Sequence, residues 1–267
     1  MATTNIEWTG STWNPTTGCD RISAGCDNCY ALTLAKRLKA MGSAKYQTDG
    51  HPTTSGPGFG VAVHPDTLDE PLRWRKPRTV FVDSMSDLFH HQTPELFIGS
   101  VFDVMARTPQ HTYQILTKRP ARARSILNGW AVNGWTWRRH DHRWCGPIDG
   151  PPPNVWIGAS IESADHIGRA DHLRRTPAAV RFVSAEPLLG PLAGLDLTGI
   201  DWLIAGGESG PDARPVNPDW VRDLRDRCTY SRVSFFFKQW GGRTPKAGGR
   251  LLDGRVWDQM PTASINS

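Results

Sequence analysis

"DWLIAGG", residues 201–207, is an apolar run of Trp202, Leu203, Ile204 and Ala205 that begins after an aspartate and stops on two glycines. Successive side chains of a strand point to opposite faces, so an apolar residue at every position suits a strand covered on both sides, as in a parallel sheet. The same design recurs in "FGVAVHP" (59–65), "TVFVDS" (79–84), "TYQILT" (112–117), "NVWIGAS" (154–160), "VRFVSAE" (180–186) and "VSFFFKQ" (233–239). A strand within "IEWTGSTW" (6–13) brings the count to eight.

Helical patterns lie between these runs. "CYALTLAKRLKAM" (29–41) places Tyr30, Leu34, Leu38 and Met41 on one face, which predicts a buried stripe. In "TPELFIGSVFDVMA" (93–106), Thr93 reads as the N-cap and Pro94 as the first helical residue, with Ile98, Val101, Phe102 and Met105 buried. "NPDWVRDLRDRC" (217–228) repeats that start with Asn217 and Pro218, and buries Val221, Leu224 and Cys228. Alternation of this kind predicts an α/β fold: a TIM-like (β/α) barrel, complete or slightly open. The alternative is a doubly wound open α/β sheet, although GxGxxG is missing after the early strands. Residues 1–240 read as one barrel domain with a polar insertion at 42–58 and a Trp/Arg-rich one at 129–154. Residues 241–267 read as a C-terminal tail with a hairpin around Asp253-Gly254.

With 267 residues, 38% of them hydrophobic and 21% charged, the chain has the composition of a globular protein with a substantial core. A net charge of +5 tolerates a polyanionic partner without requiring one, and twelve tryptophans must be packed or used. No stretch approaches the roughly 20 apolar residues of a membrane span, so no membrane partner is expected. "MATTNIEWTG" has neither the basic nor the apolar region of a secretory signal. The expected compartment is a reducing cytoplasm, where clustered cysteines bind metal more often than they form disulfides.

"GCDRISAGCDNCYA" (18–31) holds three of the five cysteines: Cys19, Cys26 and Cys29, spaced Cys-x6-Cys-x2-Cys. Gly18 and Gly25 punctuate the loop, and Cys29 opens a helix whose N-terminal amides stabilise anionic sulfur. The residues alone leave three readings open. One is a structural zinc site short of a fourth ligand, for which His51 or a distant residue could serve; the second is three unconnected core thiols. The third is a 4Fe–4S cluster with one iron open to an exogenous ligand.

A trio on the loop after the first strand, ending Cys-x2-Cys-Tyr, resembles the radical S-adenosylmethionine superfamily. The whole chain is similar to a family of unassigned function encoded by phages and bacteria, which carries a three-cysteine motif of that type. The stretches in common are "TWNPTTGC", "GCDNCYA", "DSMSDLFH", "LTKRP", "VWIGASIES", "SAEPLLGP", "GGESGPDARP" and "FKQWGG", from residue 12 to residue 242. One departure is that six residues separate the first two cysteines, where the common superfamily pattern has three. The resemblance implies a β/α barrel with a 4Fe–4S cluster on Cys19, Cys26 and Cys29. It also implies S-adenosylmethionine as cofactor, cleaved to a 5′-deoxyadenosyl radical, and an electron donor such as flavodoxin or ferredoxin. A phage setting favours a nucleotide or nucleic acid as substrate.

The strand ends carry polar groups that a barrel would bring together: Asp83, Ser84, Ser86 and Asp87; Thr117, Lys118 and Arg119; Ser160 and Glu162; Ser184 and Glu186; Glu208, Ser209 and Arg214; Lys238 and Gln239. Any one alone is an ordinary helix cap. As a set, Asp83, Lys118, Glu186 and Lys238 are the catalytic candidates. Gly206, Gly207, Glu208 and Ser209, with Ser160, are the cofactor-binding candidates, since a glycine-rich turn offers amides and a carboxylate. Lys118, Arg119, Arg214 and Lys238 would make the mouth electropositive, unless they pair with Asp87, Glu162, Glu186 and Glu208. Segment 129–154 falls on the opposite face, as a packed excursion or a nucleic-acid contact. His90-His91 reads as packing at a helix start rather than as ligands. The rival to the enzyme is a non-catalytic iron–sulfur or zinc protein that binds DNA or a protein partner and senses redox state.

Overall fold

The computed structural model describes residues 2–4 and 6–261; within the tail, 262–267 lie outside the described residues. The strands are β1 (Ala2–Thr3), β2 (Ser11–Trp13), β3 (Thr16–Thr17), β4 (Ala62–Val63), β5 (Thr79–Val82), β6 (Thr112–Thr117), β7 (Trp137–Arg138), β8 (Trp144–Cys145), β9 (Val155–Ser160), β10 (Val180–Ala185), β11 (Trp202–Gly206) and β12 (Ser234–Gln239). The main helices are α1 (Tyr30–Ala40), α2 (Glu95–Ala106), α3 (Pro120–Val132), α4 (Arg169–Arg174) and α5 (Pro218–Ser231). One sheet runs in the order β1-β2-β5-β6-β9-β10-β11-β12. Its last seven strands are parallel and β1 is antiparallel to β2.

The sheet curls into a half-barrel and does not close, so the complete barrel is corrected to an open α/β sheet. Two features account for this. "FGVAVHP" does not join the sheet: only Ala62 and Val63 form a strand, paired antiparallel with Thr17 and Thr16. Both outer edges are also covered. β1 lies along β2, and the tail runs antiparallel along β12, with Phe237 N donating to the Trp257 carbonyl at 2.8 Å and Gln259 N to that of Phe235 at 3.2 Å. A covered edge has no free N–H row to offer a further strand. The tail hairpin forms as its sequence predicts, with Asp253 and Gly254 both at positive φ.

The strands divide their side chains as period-two geometry requires. Val80, Val82, Tyr113, Ile115, Ile157, Leu203, Phe235 and Phe237 face the helices in the main core. Phe81, Trp156, Phe182, Trp202, Ile204 and Phe236 fill the opposite face, where Trp8 packs against them. Trp8 meets Phe81 at 4.8 Å and Trp202 edge-on at 6.2 Å between ring centroids. Three of the twelve tryptophans, Trp8, Trp156 and Trp202, are used here, as aromatic filling of the face opposite the helices. Gly158 is the fitting piece: a Cβ there would lie 2.3 Å from the ring of Phe182. Phe182 is fully buried with Trp202 beside it at 5.5 Å, so its ring has nowhere to go. Gly158→Ala is expected to lower stability by about 1–3 kcal/mol in a denaturant melt; an unchanged midpoint would show that the face is looser than this packing implies.

Among the helices, α5 starts as expected, with Asn217 Oδ1 accepting from Asp219 N at 2.9 Å. α2 begins one residue later than predicted, because Pro94 stays extended and takes the cap position from Thr93. α1 reverses its prediction. It buries Ala31 and Ala35, while Tyr30 (54% exposed), Leu34 (38%) and Met41 (69%) face outward and only Leu38 is partly covered. This helix packs on Tyr46, Phe59 and Met85 rather than on the sheet, and that close seat needs small residues. Segment 129–154 is a packed excursion: Trp130, Trp135 and Trp137 are buried, and Asp103 of α2 accepts from Arg139 at 2.8 Å and from the Cys145 thiol at 3.2 Å. Among the described residues no helix is long and apolar enough to cross a membrane.

Candidate functional site

Parallel strands deliver their loops to one rim, and the cysteine loop after β3 lies across it. Beyond β5, the Ser84 carbonyl accepts from the Tyr30 hydroxyl. Beyond β6, Arg119 Nη1 donates to Cys19 Sγ and Nη2 to the Asp20 carbonyl, both at 3.4 Å. Beyond β9, Gly25 passes so near Glu162 that a Cβ would stand 2.9 Å from Oε1, and 3.0 Å from Lys118 Nζ. Beyond β11, Glu208 Oε2 accepts from Asn28 Nδ2 at 3.0 Å, and Arg214 Nη2 donates to the Ala24 carbonyl at 2.9 Å. The thiols thus share a rim with the strand-end polar residues, although the contacts just named span 54 to 190 positions of the chain.

Cys26 is buried and Cys19 and Cys29 are half-buried. Cys26 lies near enough that its charge opposes ionisation of both the others. Two of the sulfurs have N–H donors beside them, Arg119 for Cys19 and the amides of Ala31 and Leu32 for Cys29, and the Cys26 sulfur lies 3.7 Å from the Ser23 hydroxyl. Burial, helped by the Asp87 charge, pushes the Cys19 thiol up to about 12 against the pull of Arg119, and burial raises Cys29 too. Both therefore stay protonated at neutral pH.

Three soft sulfur donors on one loop are the donor type that thiolate-bound clusters take. Tetrahedral ligands of one zinc at about 2.3 Å stand only about 3.8 Å apart. Among the described residues, the one trio of ligand-type atoms within 4.8 Å of each other is Asp20, His90 and His91, not the cysteines. That trio is a latch. His90 Nδ1 accepts from Gln92 N at 3.2 Å, so the ring proton sits on Nε2 and is donated to Asp20 Oδ2 at 3.0 Å, which leaves Nε2 no lone pair for a metal. Burial, aided by the Arg119 charge, holds His90 down at about 4 and hence neutral. Burial works upward on Asp20, but hydrogen bonds from Ser55, Thr54 and His90 outweigh it and hold the carboxyl at about 2. The 42–58 insertion, a mere interruption in the sequence, thereby braces the residue next to Cys19.

The four strand-end cations that the sequence points to are each paired. Lys118 Nζ meets Glu162 at 3.1 Å, Arg119 meets Asp87 at 2.9 Å, Lys238 meets Glu186 at 3.2 Å, and Arg214 Nε donates to Glu208 at 2.9 Å. Of the two expectations for these cations, the structure shows the internal pairing: Lys118, Arg119 and Lys238 reach carboxylates of other loops, and Arg214 one of its own loop. Glu162 is fully buried and also takes Arg169 at 2.8 Å. Glu186 accepts from Trp8 Nε1 at 3.3 Å and Ser184 at 3.1 Å, and a Cβ on Gly206 would stand 2.9 Å from it. In the glycine-rich turn, Gly207 N is bound to the Gln239 carbonyl at 2.9 Å, and Ser209 bridges to Gly242. Ser160 is buried, with its carbonyl accepting from Arg169 at 2.8 Å.

Asp83 stands apart from these pairs. It is 2% exposed, in left-handed backbone at φ 60°, with Oδ1 accepting from Thr16 N at 3.0 Å and no partner for Oδ2. Burial, helped by the Asp87 charge, lifts its carboxyl to about 7 despite hydrogen bonds from Thr16 and Ser86. Sequence reasoning singled out neither Trp8, Asn28, Tyr30 as a rim residue, nor Arg169. Only Trp8 left a signal, as one tryptophan too many for an ordinary core. The other two cysteines belong elsewhere: Cys145 to the β7–β8 hairpin and Cys228 to the buried side of α5.

The profile of the family described as "Protein of unknown function (DUF5131)" matches residues 3–261, so the chain belongs to that family. No curated protein and no solved structure matches the chain.

Proposed function

We propose that this member of the DUF5131 family binds a 4Fe–4S cluster through Cys19, Cys26 and Cys29 and acts as a radical S-adenosylmethionine-like enzyme. The observation that carries the reading is the placement of three thiols on one loop across the carboxyl rim of a curled parallel sheet, two of them with N–H donors at the sulfur. Three protein ligands leave one iron for an exogenous molecule. The chemistry such a cluster supplies when bound is one-electron reduction of S-adenosylmethionine, breaking a carbon–sulfur bond to give methionine and a 5′-deoxyadenosyl radical that takes a hydrogen atom from the substrate.

The chain's own residues then have these roles. Ser160, Gly206, Gly207, Glu208 and Ser209 border the space for S-adenosylmethionine, and Glu208 also fixes the cysteine loop through Asn28. Lys118 with Glu162, and Lys238 with Glu186, are charge pairs on which a substrate proton or hydroxyl can be held. Asp83, neutral over part of the physiological range, is suited to donating a proton. A nucleotide or nucleic acid is the substrate class, and flavodoxin or ferredoxin the class of electron donor, in a cytoplasmic setting.

Anaerobic reconstitution with iron and sulfide, followed by dithionite and S-adenosylmethionine, should yield 5′-deoxyadenosine and methionine in equal amounts. A colourless protein holding one zinc would overturn the reading. A second reading, a redox sensor that binds a protein partner, is favoured by the outward apolar stripe of α1, next to the cysteine loop and flanked by exposed Lys36 and Arg37. A cluster whose spectrum ignores S-adenosylmethionine would select it.

A further inference from the structure

We infer that Arg119 sets the reduction potential of the centre held by Cys19, an inference that rests on the cluster reading above. Its guanidinium is mostly buried and spans two groups: Nη1 lies 3.4 Å from Cys19 Sγ and 2.9 Å from Asp87 Oδ2. Its other arm holds the Asp20 carbonyl at 3.4 Å. The aim of the side chain is fixed from behind. Asp87 accepts from the Thr117 hydroxyl at 2.7 Å and from Lys118 N at 3.1 Å, and Arg119 N donates back to Thr117 Oγ1 at 2.8 Å. Asp87 of "DSMSDLFH" and Thr117 and Arg119 of "LTKRP" thereby act together to deliver an N–H to a single cysteine sulfur.

Adding an electron to a thiolate-bound cluster adds negative charge. A cationic N–H aimed at a ligating sulfur stabilises the reduced state more than the oxidised one, and so raises the potential. Asp87 cancels part of the long-range charge, which leaves the directed N–H···S bond as the larger share of the effect. Lysine would keep the charge but cannot hold Asp87, the Asp20 carbonyl and the sulfur at once, because it lacks the planar fork. Arg119 is thus a positioning and tuning residue; nothing here gives it contact with substrate.

The test is an electron-resonance-monitored redox titration of reconstituted wild type, Arg119→Gln and Arg119→Lys, with iron content measured in each. The midpoint should fall in Arg119→Gln and fall by less in Arg119→Lys, at unchanged iron content. Equal midpoints in all three overturn the inference while leaving the cluster reading intact. If Arg119→Gln takes up no iron, the lysine variant decides: a lowered midpoint supports tuning and an unchanged one overturns it. Loss of iron from both folded variants would assign Arg119 to holding Cys19 alone and also overturn tuning. A wild-type chain without iron overturns the cluster reading and this inference together.

Discussion

Cys26→Ala is expected to abolish cluster binding: about four irons per reconstituted wild-type chain should drop to near none, and the brown absorbance with them. Cys26 is the sharpest choice because it is the buried member and the one whose charge acts on both other thiols. Few packing contacts are lost with it, since it lies in a short turn, Ala24–Cys26, outside the main core. The melting transition of the metal-free chain should therefore hardly move. Cys145→Ala is the control, because that thiol donates to Asp103 on the far hairpin and should leave iron content intact. Full iron in Cys26→Ala would remove the basis of the proposed chemistry.

Asp83→Asn is expected to gain stability relative to wild type as pH rises from about 4 to about 7, and to be the more stable chain above that. An unfolded aspartate ionises near 3.9, whereas burial lifts the folded Asp83 to about 7. Between those values the folded state holds a proton that the unfolded state has lost. Stability from this group is thus intact below about pH 4, falls as pH rises towards 7, and is flat above. Three pH units correspond to at most about 4 kcal/mol. Asparagine does not titrate, tolerates left-handed backbone, and keeps an oxygen for Thr16 N. Its buried amide N–H groups cost about 1–3 kcal/mol where they find no acceptor. The variant should therefore be near or below wild type in urea melts at pH 4.5 and above it by a few kcal/mol at pH 8. A difference that does not vary with pH would show that Asp83 is ionised in the folded state. A costly acid kept at a strand end fits a group retained for function, so the same variant should lose activity in the 5′-deoxyadenosine assay.

Much of the candidate site could be read from the chain because strand-end residues in parallel β/α units share a rim whatever their separation in sequence. That rule placed Lys118, Glu186, Lys238 and the cysteine loop together before any coordinates. Pairing could not be read in the same way. Whether Lys118 faces a phosphate or Glu162 depends on the lateral distance between two loops, which no local pattern encodes. The latch from Asp20 to His90, Thr54 and Ser55 joins three segments whose composition says only "polar".

By itself, then, the sequence determined the α/β class, all seven parallel strands by position, the cap of α5, the tail hairpin and the three thiols on one loop. These follow from local rules: side-chain periodicity, capping chemistry and turn stereochemistry act over a few residues. Tertiary structure alone decided that the sheet stops short of closure, that α1 turns Tyr30, Leu34 and Met41 outward, and that Lys118, Arg119, Arg214 and Lys238 each find a carboxylate. Edge covering, helix seating and charge pairing are contests between distant segments for the same surface, and their outcome depends on which surfaces reach each other once the chain has folded.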